Sequence, residues 1–126
     1  MEKEYIIAIV SNPFFQKKGI EDLLRLVLPE AILFKVNGME ELKELSKIVY
    51  IDVAILVEES YHVLEMSADA TFSETVTKYL VFAKKTNEIL VTPEVYCINQ
   101  RETENNILTF IKGVLFKIEP RIKKVA

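Results

Sequence analysis

A chain of 126 residues, 50% hydrophobic with a mean hydropathy of +0.18, is long enough for one domain with its own core. Its formal charge of −3 and pI near 5.3 exclude a general attraction to nucleic acid, which needs clustered Lys and Arg. No apolar run approaches the roughly 18 residues of a membrane span, "MEKEYIIAIV" lacks the form of a signal peptide, and one cysteine permits no intrachain disulfide. The expectation is a single domain over 1–126 in a reducing cytoplasm, on neither membrane nor nucleic acid. The basic tail, Lys117, Arg121, Lys123 and Lys124, reads as a helix end complementing its own dipole.

In chain order, "YIIAIVS" (5–11) is a continuous apolar, β-rich run, the mark of a strand covered on both faces. Asn12 can cap a helix and Pro13 suits its first turn. Ile20, Leu23, Leu24, Val27 and Leu28 continue that helix as an apolar stripe, which Pro29 stops. "AILFKV" (31–36) is a second strand and Asn37-Gly38 a turn. Met39, Leu42, Leu45 and Ile48 then lie three apart on a shorter helix, and "VAILV" (53–57) is a third buried strand ending at Glu58-Glu59. Such alternation argues for a parallel sheet with helices on both faces.

Between 60 and 102 two readings compete. One has a helix over 62–76, a strand at "KYLVFA" (78–83) and another at "EVYCI" (94–98). The other has a helix over 71–86, on Phe72, Val76, Tyr79, Leu80 and Ala83, and a strand at "EILV" (88–91). Thr103 can cap a last helix carrying Ile107, Leu108, Ile111, Leu115 and Ile118 along one face.

"SNPFFQKKGIEDLL" (11–24), "VNGMEELKEL" (36–45) and "IDVAIL" (51–56) together resemble a response-regulator receiver domain, of the kind that precedes a NarL/FixJ-type DNA-binding domain. The likeness covers about residues 5–58 and weakens beyond. "TENNIL" (103–108) resembles the start of the family's last helix, which favours the first of the two readings. The resemblance implies a doubly wound α/β sandwich, a five-stranded parallel sheet in order 2-1-3-4-5. Its fourth helix is cut to a turn or two around 85–92.

A working receiver holds Mg²⁺ with an acidic pair and a phosphoryl-accepting Asp, because Mg²⁺ demands hard oxygen ligands. Here the resemblance sets Ser11 and Asn12 at the acidic pair and Val57 at the acceptor. Ala83 takes the place of the hydroxyl residue, and Asn99 or Gln100 that of the lysine. Val cannot be phosphorylated, and no cofactor or metal is expected. A shift of one residue would bring Glu58 to the acceptor position as a permanent charge; the plainer reading makes Glu58 and Glu59 a solvated strand end. Phe14 and Phe15 stand where apolar filling would replace the lost pocket.

The remaining chemistry is sparse. His62 and Cys97 are each the only one of their kind, too few for a zinc site, and a Cys–His pair needs a base placed by the fold, whereas His62 follows Tyr61 in a loop or helix start and Cys97 sits in an apolar strand. Gly19, Gly38 and Gly113 are too scattered for a phosphate-binding loop. Ser11, Ser67 and Ser73 fit no nucleophile elbow, and Asp52 reads as structural. The expected function is therefore non-enzymatic: a phosphorylation-independent, receiver-like module for protein interaction. Its homodimer interface would include the last helix, with Tyr96, Phe110 and Phe116 as aromatic anchors. The alternative is a small-ligand-binding or enzymatic flavodoxin-like domain, with an open pocket at Ser11, Asn12, Glu58 and Asn99.

Overall fold

The computed structural model describes residues 5–67, 76–84 and 95–116. Five strands form one all-parallel sheet in the order β2-β1-β3-β4-β5. They are β1 (Ile6–Val10), β2 (Ile32–Val36), β3 (Ile51–Val57), β4 (Val76–Ala83) and β5 (Val95–Asn99). The doubly wound, flavodoxin-like α/β architecture is thus as expected, down to the strand order.

Side chains of successive strand residues serve opposite faces. Ile7, Ile9, Val53, Ile55 and Val57 pack under α1 (Pro13–Lys18), α2 (Ile20–Val27) and the helix Glu104–Phe116, here α5. Ala8, Val10, Ala54 and Leu56 pack under α3 (Met39–Ser46) and α4 (Glu58–Ser67). Every residue of β3 is buried, which is why the central strand reads as an unbroken apolar run.

Of the two readings for 60–102, the strand over Val76–Ala83 upholds the first and removes the helix over 71–86. The preceding helix begins earlier than expected, at Glu58, so His62 lies inside α4 and is exposed. Residues 68–75 and 85–94 lie outside the described residues, and with them the expected short helix around 85–92.

Three further differences have local causes. The single helix expected after Pro13 is two, because Gly19 stands at φ 63°, the left-handed region that ends α1. Ile48 is not on the core face of α3; that helix ends at Ser46, and Ile48 is 79% exposed. In α5 the third buried residue after Ile107 and Ile111 is Val114. Leu115 and Phe116 have side chains outside the described residues.

Asp52 lies inside β3, 5% exposed, and its Oδ2 accepts a 2.7 Å hydrogen bond from the Ile6 N–H. Its carboxylate therefore ties the first residue of β1 to β3, a structural role. Thr103 caps α5 as expected, its Oγ1 accepting from the Asn106 N–H at 3.3 Å.

Candidate functional site

In open α/β sheets the carboxyl ends of the strands carry the ligand crevice, and the residues singled out above converge there. The Asn12 side chain caps α1, its Oδ1 accepting from the Phe14 N–H at 2.9 Å, with Pro13 at the first helical position. The Ser11 N–H donates to the Val36 carbonyl at 2.7 Å, carrying the β1–β2 ladder one residue further. Neither backbone geometry nor side-chain charge suits this pair to hold a divalent cation.

The cap aims α1 across the end of the sheet. Phe14 and Phe15 reach Phe82 on β4, with ring centroids 5.5 Å apart from each other and 5.6 and 5.4 Å from Phe82. β3 runs between β1 and β4, and Phe82 is the register partner of Val57. The rings therefore lie at the end of β3, where Val57 is 2% exposed. Edge-to-face geometry, as in the Phe14–Phe15 and Phe15–Phe82 pairs, adds about 0.5–1.5 kcal/mol per pair beyond simple burial. The carboxyl end of β3 is occupied by packed hydrocarbon.

Ala83 is fully buried opposite Asn99. Asn99 Oδ1 accepts from the Arg101 N–H at 2.8 Å, closing a turn. Gln100 folds back, its backbone N–H donating to the Ala83 carbonyl at 3.0 Å and its Nε2 to the Phe82 carbonyl at 3.2 Å. Gln100 thus stitches the β4–β5 end together, and the Asn99 oxygen is committed to its own turn.

Glu58 departs from the solvated strand end expected of it. It opens α4 and is half-buried, and its Oε2 is buried without a hydrogen-bond partner among the described residues. The positive end of the α4 dipole favours a carboxylate there. Its charge acts together with burial, the larger cause, to push the Cys97 thiol above its ordinary value. Cys97 is consequently a poor nucleophile. Burial, with a smaller contribution from Tyr61, pushes the Tyr79 hydroxyl up as well. Among the described residues no three His, Cys, Asp or Glu side chains converge as a metal site would require.

On the β2 side of β1 the same edge of the sheet is open. A cleft of about 220 Å³ has Ile9 and Phe15 among its lining residues, together with Ser11, Gln16, Asp22 and Lys35. Gly19 and Glu21 border it too. Glu21 bridges Lys35 at 3.1 Å and Arg25 at 3.2 Å, and hydrogen bonding to Lys35, foremost, holds its carboxyl below the usual range. Ser11 and Asn12 line this cleft, but Glu58 and Asn99 do not, so the four-residue pocket of the alternative reading does not form as a unit. The cleft was not foreseen; its signal was Lys17-Lys18-Gly19 followed by Glu21-Asp22, a basic helix end meeting an acidic helix start.

Of the three expected aromatic anchors, two are described and meet. Tyr96 and Phe110 are both half-buried and stack edge-on at 6.3 Å, with Lys78 Nζ 5.6 Å from the Tyr96 ring centroid. The Phe116 side chain lies outside the described residues. No described helix is long and apolar enough to cross a membrane. Compared with known proteins, the chain matches no family model, no curated protein and no solved structure.

Proposed function

We propose that this chain is a phosphorylation-independent, receiver-like domain that works in the cytoplasm by protein contact, as a homodimer, in signal transduction or regulation. The observation that carries the reading is the end of β3, where Val57 is buried beside three phenyl rings in a sheet of order 2-1-3-4-5. A receiver that accepts phosphoryl groups needs carboxylates there, and hydrocarbon offers none of the ligands Mg²⁺ requires. The half-buried pair Tyr96 and Phe110 supports the β5–α5 side as the contact surface, since aromatic side chains with one face still exposed are common interface anchors.

Incubation with acetyl phosphate and Mg²⁺, followed by intact-mass measurement, tests the first half. The expected result is no acid-labile gain of one phosphoryl group; such a gain would refute the reading. Sedimentation at tens of micromolar tests the second, since a dimer of about 1 μM affinity forms in that range. Phe110→Glu should return the dimer to monomers, and a wild type that is already monomeric removes the dimer from the proposal.

A further inference from the structure

The cleft beside β1 is a different kind of site from the sealed end of β3, and its chemistry is specific enough to name a ligand. Its existence follows from the break at Gly19. The left-handed turn ends α1 and starts α2 in a new direction, and a Cβ at Gly19 would meet nothing within 4 Å.

Three features constrain an occupant. Ile9 and Phe15, each nearly buried, offer apolar surface. Asp22 makes no ion pair among the described residues, while Lys35 is half-exposed and held by a single carboxylate at 3.1 Å. Ser11, Gln16 and Asn12 supply neutral hydrogen-bonding groups; the Asn12 Oδ1 is committed to the α1 cap, leaving its Nδ2 donors. A purely anionic ligand would face Glu21 and Asp22, and a purely cationic one would face Lys35. About 220 Å³ also limits the occupant to roughly ten to fifteen heavy atoms, below the 300–1,000 Å³ of drug-sized sites.

We propose that this cleft binds a small zwitterion with an apolar side chain, a free aliphatic α-amino acid. Its ammonium group faces Asp22, its carboxylate faces Lys35 and the Ser11 and Asn12 donors, and its side chain rests on Ile9 and Phe15. The site goes beyond the interaction role above and stands or falls independently of it, because it uses neither the β3 end nor the β5–α5 surface. For a ligand of this size a dissociation constant on the order of 1 mM or tighter is the reasonable range.

Amide chemical-shift titration of the full chain tests this with three probes sharing one side chain: L-leucine, 3-methylbutylamine and 4-methylpentanoate. Saturable shifts with leucine, centred on Ser11, Gln16, Gly19 and Lys35, are expected, and the two singly charged analogues should bind at least about tenfold more weakly, a difference of about 1.4 kcal/mol. Asp22→Asn, a surface change that leaves the core intact, should weaken leucine at least about tenfold, and Lys35→Met should do likewise. Leucine that fails to saturate by about 20 mM, or that binds no better than either analogue, overturns the proposal. So does unchanged leucine affinity in both variants once circular dichroism shows them folded.

Discussion

The two flanks of β1 end in opposite ways. Toward β3 the carboxyl end is shut by Phe14, Phe15 and Phe82; toward β2 it opens into a cleft bearing both signs of charge. One short segment decides both outcomes. Asn12 and Pro13 start α1, whose Phe14 and Phe15 reach Phe82, and Gly19 ends it in the left-handed region, so that Glu21 at the start of α2 meets Lys35 of β2 beside the cleft. Phe15 belongs to both regions, packing on Phe82 while lining the cleft. The lesson is that apolar filling at one point of a sheet edge need not close the rest of that edge.

The sharpest way to break this contrast is to remove the partition. Phe15→Ala should cost about 3–5 kcal/mol of stability, the usual range for truncating a buried Phe, as read from urea unfolding at constant slope. Phe14→Ala, half-buried, should cost less than Phe15→Ala. If neither changed the unfolding midpoint, the aromatic seal would not be part of the core.

A change at the far end of β1 serves as the control. Asp52→Ala leaves the Ile6 N–H without its 2.7 Å acceptor, and an unsatisfied, partly buried donor costs about 1–3 kcal/mol. Unfolding should shift accordingly, with amide shifts around Ser11 and Gln16 unchanged.

Gly19→Ala probes the turn itself. With φ at 63° an added Cβ is strained although no neighbour obstructs it, so about 1–2 kcal/mol should be lost. No loss would mean that the break between α1 and α2 is not held in the left-handed region.

The smallest effect belongs to the charges over the cleft. Glu21 is held below the ordinary carboxylate value of 4.5, chiefly by its hydrogen bond to Lys35. A depressed folded value means stability that is present above about pH 4.5 and is lost as pH falls through the lower, folded value. Glu21→Gln should therefore cost under about 1 kcal/mol at neutral pH, given partial exposure and screening. The difference from wild type should vanish in acid and shrink in high salt.

How much of this was legible beforehand follows from what each signal measures. β1, β2 and β3 could be read because strands buried on both faces leave unbroken apolar runs, and Asn12, Pro13 and Thr103 because capping is local chemistry. The aromatic filling was half legible: Phe14 and Phe15 stood at the right turn, but Phe82 sat inside a strand whose neighbours were still undecided. Gly19 was missed as a break because the apolar stripe from Ile20 through Leu24 fits a helix that starts at Asn12 as well as one that starts after Gly19. Ile48 was misplaced because spacing alone does not say where α3 stops. The cleft depends on Lys35 of β2 meeting Glu21 of α2, a pairing across the fold that periodicity within one segment does not encode.

The Asp52 carboxylate under the first amide of β1 has a consequence for the slow opening of the molecule. In a parallel sheet, an inner strand is released only when both neighbours give way, whereas β2 has a neighbour on one side alone. With Asp52 fastening the start of β1 to β3, fraying from that end would give up the bond and bare the Ile6 amide. Amide protons of Ile6 to Val10 and of β3 should thus exchange with deuterium only through global unfolding. Those on the outer edges of β2 and β5, the two strands with a single neighbour, should exchange through local excursions of much lower free energy, making the edges the first places where the sheet loosens.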